Sequence, residues 1–314
     1  MRSAKVLVIN LGALGTEITK NLVLSGVGSL SLIDSHIVGT QDLESQFFVS
    51  KDEVGTKRLD AAASRIQDMN PRVELNFDKD DFRTKPSSYF QQYNLIVATD
   101  LHSADIVKLN AISRRFSVPL FVAGLNGLSG YIFVDLIQFD ATDEKLKSSM
   151  ATPLKRLSQN REVIEVIEHF NEEQSKTFER IVTRNIYSPF EKMLKEGSLK
   201  GKLTRRQLKR LTNAVPLTLA LFDYDDETSS LNAQDLREKA TEKCVQLGLP
   251  VENLQQKYIE QFAEQAGLEF APVAAVIGGA VAQDVINILG KKQSPLNNFI
   301  VLDAITLDMH IFEL

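Results

Sequence analysis

Short apolar runs alternate with helical patterns through the first part of the chain, and this alternation constrains the fold more than any other feature. The runs are continuous and rich in β-branched residues, as expected for strands buried on both faces of a parallel sheet. Predicted strands lie at Lys5–Asn10, Ser29–Asp34, Arg72–Phe77, Asn94–Ala98, Pro119–Ala123 and Tyr131–Phe139. Predicted helices lie at Thr16–Ser25, Val54–Met69 and Ser103–Phe116. This order predicts an α/β fold with a doubly wound, mainly parallel sheet.

The character of the sequence changes near residue 140 and changes back near residue 270. Between these points charged residues are frequent, aliphatic runs are scarce, and Arg161–Arg180 and Ser230–Leu247 have helical patterns. Three segments are therefore predicted: residues 1–139 form most of the α/β domain, residues 140–270 form a mostly helical insertion, and residues 271–314 complete the first domain. In the last segment we predict a helix at Val273–Leu289 and strands at Asn298–Asp303 and Thr306–Phe312.

Composition excludes several classes of protein. The net charge of −5 does not suit a protein that coats nucleic acid or an anionic membrane. We see no apolar run approaching the length of a membrane span, and the first residues lack the apolar core of a signal peptide, so we predict no membrane partner. The single cysteine, Cys244, excludes an internal disulfide and a zinc site built on several cysteines. A reducing, intracellular compartment is the default expectation.

The turn after the first predicted strand carries part of a nucleotide-binding glycine pattern. In dinucleotide- and ATP-binding folds, three glycines make the tight turn, let the backbone approach phosphate, and let the helix pack closely on the strand. Gly12 and Gly15 hold the second and third of these positions, whereas Asn10 holds the first and tolerates a positive φ. Asp34 ends the second strand, where an acidic residue would bind a ribose hydroxyl. Alone, this pattern favours a nucleotide site and a well-packed turn that binds nothing about equally.

Further motifs follow in a fixed order, and together they carry a resemblance. They are Asp42–Val49, Val54–Lys57, Asn70-Pro71, Val97–Asp100 and Ala271–Ile286. In this order they resemble the ThiF-type adenylation domains of enzymes that activate ubiquitin-like proteins, and of bacterial relatives that activate sulfur carriers. The resemblance covers nearly all of residues 1–138 and 271–314. The insertion and the overall extent are similar to the smaller, non-thioester-forming subunits of SUMO-activating E1 heterodimers.

The resemblance implies a Rossmann-like adenylation fold and an obligate heterodimer with a thioester-forming partner subunit. Such a complex uses ATP and Mg²⁺ to adenylate the carboxyl terminus of SUMO. It then transfers the acyl group to a cysteine of the partner and onward to an E2 enzyme. The smaller subunit is expected to act as a scaffold, to bind no cofactor tightly, and to lie in the nucleus, with the cytoplasm as an additional location.

Three other functions stay open as alternatives. The chain is similar to the corresponding subunit of NEDD8-activating enzymes, although that subunit is expected to be longer. A self-sufficient adenylating enzyme for a sulfur carrier predicts intact ATP-site arginines and paired zinc cysteines, and the sequence lacks both. An NAD-dependent oxidoreductase would use Asn10–Gly15 and Asp34, but the rest of the chain offers no site for hydride transfer.

The nucleotide-site positions implied by the resemblance are only partly preserved. Active members carry an asparagine and an arginine just before the Gln-Phe pair, where this chain has Glu44 and Ser45. A second expected arginine is missing, and Asp105 is the nearest residue. Neither a carboxylate nor a hydroxyl provides the charge-assisted bonds of arginine to phosphate, so we predict a vestigial site with no catalytic residue and no resident metal. The candidate residues of this site are Gly12, Gly15, Asp34, Lys57 and Asp100, the last in the place of a magnesium ligand.

Several remaining features have both a structural and a functional interpretation. Family members carry a helix and an arginine ahead of the first strand, and we expect that this sequence is truncated there. Cys244 stands in a helical pattern and is predicted to be a buried structural residue rather than a thioester cysteine. Gly278-Gly279 predicts close helix packing, with a subunit contact as a further hypothesis. The basic run from Lys200 to Arg210 is predicted to be a solvated surface rather than an import signal or a docking face. The four histidines are scattered without metal-ligand spacing.

Overall fold

The computed structural model describes residues 2–224, 231–290 and 295–314. The strands are β1 (Lys5–Ile9), β2 (Ser29–Ile33), β3 (Glu74–Asp78), β4 (Leu95–Thr99), β5 (Leu120–Asn126), β6 (Ser129–Asp135), β7 (Gln138–Leu146), β8 (Arg161–Asn171), β9 (Lys176–Ile186), β10 (Phe299–Asp303) and β11 (Asp308–Phe312). The helices are α1 (Ala13–Ser25), α2 (Asp42–Ser45), α3 (Arg58–Met69), α4 (Ser103–Arg115), α5 (Phe190–Glu196), α6 (Arg205–Leu208), α7 (Ala214–Leu221), α8 (Ala233–Leu247), α9 (Gln256–Glu264) and α10 (Ala271–Leu289).

The larger sheet has eight strands in the order β11-β10-β6-β5-β4-β1-β2-β3. Five neighbouring strands run parallel, in the order β3, β2, β1, β4 and β5. The remaining strands, β6, β10 and β11, each run antiparallel to the strands beside them. This arrangement confirms the predicted mainly parallel sheet. The chain leaves β1 toward β2 on one side and later returns to β4 on the other side, so the strand order reverses at β1. Ligand crevices of such sheets open beyond the carboxyl ends of the strands at the reversal, which here are Ile9 and Thr99.

Both faces of the sheet are covered, which explains why its strands are apolar without alternation. In β1, Val6 and Val8 belong to the core that contains α1, α3 and α10. Leu7 and Ile9 belong to the core that contains α4 and the helices α5, α7, α8 and α9. All four side chains are at most 1% exposed. Because successive strand residues point to opposite faces, each core receives every second residue of the run.

The last part of the chain joins the first part in one sheet and one helical layer. β10 pairs antiparallel with β6, and α10 packs along α1. Gly278 lies at this helix contact, since a Cβ placed on it would be 2.7 Å from the Cβ of Glu17. A Cβ placed on Gly279 would meet no atom within 4 Å apart from the adjoining residues and the backbone of its own helix. The predicted close packing is therefore confirmed for Gly278, whereas Gly279 borders open space.

By length and composition, α10 could cross a membrane, so the statement that no apolar run approaches that length was wrong. In the structure, however, Val273, Ile277 and Val281 are at most 2% exposed and belong to the core between α1 and the sheet. A helix buried in this way has the same apolar composition as a membrane span because both avoid water. The packing of α10 therefore accounts for its composition.

The helical prediction for Arg161–Arg180 is wrong. These residues lie in β8 and β9, which with β7 form a three-stranded antiparallel sheet in the order β7-β9-β8. Apolar residues at Val163, Val166, Ile167 and Phe170 have helical spacing, and this spacing produced the error. The β-branched side chains favour strands, and the pairing is irregular between Val163 and Glu165. The later part of the segment holds α5 to α9, and Ser230 lies outside the described residues.

The predicted strand Tyr131–Phe139 is divided between the two sheets. β6 ends at Asp135 and β7 begins at Gln138, with Ile137 at a φ of 65° between them. A positive φ is unfavourable for a β-branched residue. The carboxylate of Asp135 accepts a hydrogen bond from the Ile137 N–H at 2.9 Å and stabilises this turn.

Alanine substitutions at the two neighbouring glycines of α10 should have opposite effects on stability. Both remove the helix cost of glycine, about 1 kcal/mol. At Gly278→Ala the new methyl group must displace Glu17, and overpacking of this kind costs about 1–3 kcal/mol. Urea unfolding of the two variants should show a lower free energy of unfolding for Gly278→Ala and a higher one for Gly279→Ala. Equal stabilisation by both substitutions would contradict the assigned helix contact.

Candidate functional site

The candidate site lies in the turn between β1 and α1, at the carboxyl end of the parallel strands. Asn10 has a φ of 68°, which confirms the positive φ that its position predicts. Its side-chain amide donates to the carbonyl oxygen of Thr99 at 2.8 Å. The side chain of Asn10 therefore ties the end of β1 to the end of β4, a contact that a glycine at this position could not make.

The two glycines of the turn provide space for different neighbours. A Cβ on Gly15 would overlap the carbonyl oxygen of Asn10, so Gly15 allows the helix to pack closely on the strand, as predicted. A Cβ on Gly12 would overlap Oε1 of Glu269 and would lie 3.7 Å from Oδ2 of Asp100. Gly12 is thus needed where the sequence pattern indicates, but its immediate neighbours are carboxylates of the same chain.

A carboxylate from just before α10 lies at the amino terminus of α1. Oε1 of Glu269 accepts a hydrogen bond from the Ala13 N–H at 2.9 Å, and Oε2 accepts one from the Ser45 hydroxyl at 2.8 Å. Free N–H groups and the helix dipole make a helix amino terminus attractive to anions. Glu269 therefore stands where such a turn would hold a phosphate oxygen. We call Gly12, Ser45, Asp100 and Glu269 the α1 cluster.

Asp34 is buried, and its oxygens have internal partners. Oδ2 accepts from the Leu11 N–H at 2.8 Å, and Oδ1 accepts from the His36 N–H at 2.7 Å and lies 2.6 Å from the His36 ring. Burial favours a higher pKa, but the hydrogen bonds from His36 and Leu11 and the charge of Arg58 outweigh it, so the pKa of Asp34 is lowered. The residue is 2% exposed. In this arrangement its carboxylate holds the β1 turn, and the residue also borders a pocket beyond the strand ends.

The main cation near this turn is Arg58, which the sequence reasoning missed. Its guanidinium contacts both oxygens of Asp42, at 2.8 and 3.2 Å, and lies 3.6 Å from Asp34. Burial favours a lower pKa, but Asp34, Asp42 and Glu269 more than compensate, so the pKa of Arg58 is raised. The only feature of the sequence that marked Arg58 was its position directly after the Val54–Lys57 motif. Lys57 itself donates to the carbonyl oxygen of Ser35 in the loop after β2.

Asp100 follows β4 and contributes its carboxylate to the α1 cluster. Its φ is 52°, and its Oδ1 accepts from the Leu125 N–H at 3.1 Å. The residue as a whole is exposed and lines two adjoining pockets, whereas protein surrounds its carboxyl group on several sides. Desolvation of the carboxyl group by this surrounding protein and, second, the carboxylate of Glu269 raise the pKa of Asp100 to about 7. Two adjacent carboxylates cannot both ionise easily, so a proton at Asp100 relieves their repulsion.

Glu44, Ser45 and Asp105 stand where the resemblance implies that phosphate-binding residues are missing. The structure places these three side chains in different environments. Ser45 belongs to the α1 cluster, whereas Glu44 is exposed to solvent. Asp105 is 9% exposed and lies 3.6 Å from the guanidinium of Arg83. A pocket of about 90 Å³ between Asp34, Asp100 and Asp105 lies where a ribose would be expected. This volume lies below the range of about 300–1,000 Å³ that is usual for small-molecule sites.

Cys244 lies in α8, outside the α1 cluster, and is 1% exposed. Burial raises the pKa of its thiol to about 11, so the thiolate that would act as a nucleophile is scarce at neutral pH. These properties confirm the prediction of a buried structural cysteine.

The sequence model of the ThiF family matches residues 1–314 of the chain. The chain belongs to the ThiF family. It is 52% identical to the DNA damage tolerance protein RHC31 of Saccharomyces cerevisiae, over 100% of this chain and 91% of that protein. It is 29% identical to human SUMO-activating enzyme subunit 1, over 97% of this chain and 87% of that protein. It is 27% identical to the DNA damage tolerance protein rad31 of Schizosaccharomyces pombe, over 97% of this chain and 88% of that protein.

Replacing Asp34 should destabilise this ThiF-family chain in a pH-dependent way. Asp34→Asn leaves the Arg58 charge and the Leu11 N–H without their carboxylate, which should lower the free energy of unfolding by about 2–3 kcal/mol at pH 7. Because the folded-state pKa lies below the ordinary aspartate value of 3.8, this contribution is complete well above pH 3.8 and is lost as pH falls through the folded pKa. Urea unfolding from pH 7 down to pH 3 should show the difference shrinking. The exposed Asp68→Asn should stay within about 0.5 kcal/mol of wild type, and an equal loss there would argue against the role of Asp34.

Neutralising Glu269 should lower the pKa of Asp100. Glu269→Gln removes the second-largest cause that raises this pKa and leaves the burial of Asp100 in place. Carboxyl-carbon NMR titration should therefore place the Asp100 pKa below about 7 in this variant. Glu264→Gln, an exposed position on α9, is the matched control and should leave the titration unchanged. An unchanged Asp100 titration in Glu269→Gln would show that the two carboxylates do not interact.

Proposed function

We propose that this chain is the scaffold subunit of a heterodimeric SUMO-activating E1 enzyme and that its own nucleotide site does not work. Full-length similarity to proteins named SUMO-activating enzyme subunit 1 supports the first part. The second part rests on the Glu269 carboxylate, which lies at the amino terminus of α1 where ATP would place a phosphate. The complex would adenylate the carboxyl terminus of SUMO with ATP and Mg²⁺ at the partner's site, and transfer it through a partner cysteine to an E2 enzyme.

Electrostatics supports a silent nucleotide site in this subunit. Asp34, Asp42, Asp100 and Glu269 surround the turn, and the buried cation among them, Arg58, is already shared by Asp34 and Asp42. Two like charges 4 Å apart repel by about 4 kcal/mol at an effective dielectric constant of 20. A triphosphate would meet this repulsion and would also have to displace Glu269 from Ala13 and Ser45. The residues of the site therefore do not fit ATP and Mg²⁺.

An exposed apolar surface beside the α1 cluster supports assembly with a partner subunit. Leu268, Phe270 and Val276 are 55%, 43% and 51% exposed at and just before the start of α10. Gly279 borders open space on the same helix, so another chain can approach the helix backbone there. Obligate interfaces are larger and more apolar than ordinary surfaces. We propose that this surface, called the α10 surface, contacts the thioester-forming subunit.

The proposal also includes the location of the protein in the cell. A nuclear site follows from the resemblance to SUMO-activating enzymes and not from particular residues. The basic residues of the run from Lys200 to Arg210 are all exposed, which agrees with the expected solvated surface and also leaves them accessible. A NEDD8-activating complex is the alternative, and the similarity to proteins named SUMO-activating enzyme subunit 1 favours SUMO.

SUMO-dependent exchange of pyrophosphate into ATP tests the proposed division of labour. We expect activity when this chain and the thioester-forming subunit are mixed, and none from this chain alone. Asp100→Ala in this chain should change the activity of the mixture by less than about twofold, as should the control Asp68→Ala. Thermal unfolding of each variant chain checks that it is folded. Activity from this chain alone, abolished by Asp100→Ala, would replace the proposal with an autonomous adenylating enzyme.

Charge placed on the α10 surface should prevent assembly. Val276→Asp buries an unpaired carboxylate in the proposed interface, which costs several kcal/mol and should weaken subunit binding by at least about a hundredfold. Val245→Asp, which is 61% exposed on α8, is the matched control and should bind normally. Light scattering of the mixed subunits at micromolar concentration measures assembly. Normal assembly of Val276→Asp would place the interface elsewhere.

A further inference from the structure

A second pocket adjoins the α1 cluster on the side away from Asp34. It measures about 260 Å³ and lies at the carboxyl ends of β4 and β5, beneath α7. Asp100 and Leu125 form part of its floor, Tyr131 and Phe222 form part of its wall, and Gly267 lies at its border. We call it the Tyr131 pocket. Neither the glycine turn nor the proposed subunit contact requires this cavity.

The Tyr131 pocket contains polar groups that lack protein partners. Thr218 lines it and is 1% exposed, yet its hydroxyl oxygen has no hydrogen-bond partner. The hydroxyl of Tyr224, another lining residue, is also buried without a partner. An unsatisfied buried hydroxyl costs about 1–3 kcal/mol, so native structures rarely leave one without a reason. Both oxygens have almost no accessible surface, so a ligand with hydrogen-bonding groups would pair with them once the side chains turn toward the cavity.

The charges around the Tyr131 pocket select the sign of that ligand. Asp100 lines the pocket, and Glu269 lies behind it, whereas no lysine or arginine lines it among the described residues. The nearby Lys239 is engaged, because its ammonium lies 3.9 Å from the centre of the Tyr224 ring and donates to the Asp223 carbonyl. An anionic ligand would therefore be repelled, and a cationic one attracted.

The walls of the Tyr131 pocket suit the rest of such a ligand. The rings of Tyr131 and Phe222 meet edge to face, with centres 4.9 Å apart at 85°. Aromatic faces attract ammonium and guanidinium groups, and a carboxylate beside them supplies the counter-charge. Leu101, Leu125 and Leu221 complete an apolar lining that can cover a hydrocarbon stem.

We propose that the Tyr131 pocket binds a guanidinium or primary ammonium group carried on an apolar stem. The cation pairs with Asp100, the Thr218 and Tyr224 hydroxyls become partners for its remaining N–H groups when they turn toward the cavity, and the stem packs on the aromatic and leucine side chains. The volume fits one group of side-chain size and is smaller than the usual range for larger ligands. A free amine and an arginine or lysine side chain of another protein share this chemistry.

Calorimetric titration of the full chain with Nα-acetyl-L-arginine amide, at pH 8 where Asp100 is charged, tests the pocket. The neutral isostere Nα-acetyl-L-citrulline amide is the control ligand, because acetylation removes the charge of the α-amino group from both compounds. We expect saturable binding of the arginine derivative alone, weakened at least about tenfold by Asp100→Asn and about threefold by Thr218→Val. Asp105→Asn, a neighbouring carboxylate outside this pocket, is the matched control and should bind normally. Equal binding of both ligands, or full binding by Asp100→Asn, overturns the proposal.

Repeating the titration on the assembled heterodimer distinguishes the two sources of the cation. Retained binding assigns the pocket to a free amine, and lost binding assigns it to a side chain of the partner subunit. This arm alone rests on the proposed function. If the heterodimer does not form, the proposed function fails while the result on the single chain stands.

Discussion

The contact between Glu269 and the amino terminus of α1 governs the arrangement of the candidate site. One carboxylate accepts hydrogen bonds from both the Ala13 N–H and the Ser45 hydroxyl. The contact therefore joins the segment just before α10 to the turn between β1 and α1. It also places negative charge beside Asp100, which adds to the larger effect of desolvation in raising the pKa of that group. A helix terminus that could attract a phosphate instead has an internal anion as its ligand.

The same contact relates the vestigial site to the architecture around it. Glu269 stands directly before α10, whose buried face packs against α1 through Gly278 and whose exposed side we propose as the partner surface. Movement of α10 would therefore move the carboxylate, the helix contact and the proposed interface together. In this arrangement the proposed loss of nucleotide chemistry and the proposed scaffold role depend on one segment of chain.

Local sequence patterns predicted much of the sheet and part of the turn. The apolar runs located the parallel strands because burial on both faces leaves a signal at every residue. Asn10 and Gly15 were interpreted correctly since their roles depend on backbone geometry within one turn. The hairpin of β8 and β9 was missed because Val163, Val166, Ile167 and Phe170 happen to repeat at helical spacing, and strand pairing is not a local property.

The sequence by itself determined the fold class and the ThiF-type order of motifs, because short apolar strands, amphipathic helices and glycine turns are encoded within a few neighbouring residues. Only the tertiary structure decided how the site is filled. Glu269 lies 256 residues beyond Ala13, and no local pattern marks it as a neighbour. The partners of Asp34, the position of Arg58 and the unpaired hydroxyl of Thr218 likewise depend on which side chains meet in space. Charge and burial act through distance in the folded chain, and separation in sequence does not set that distance.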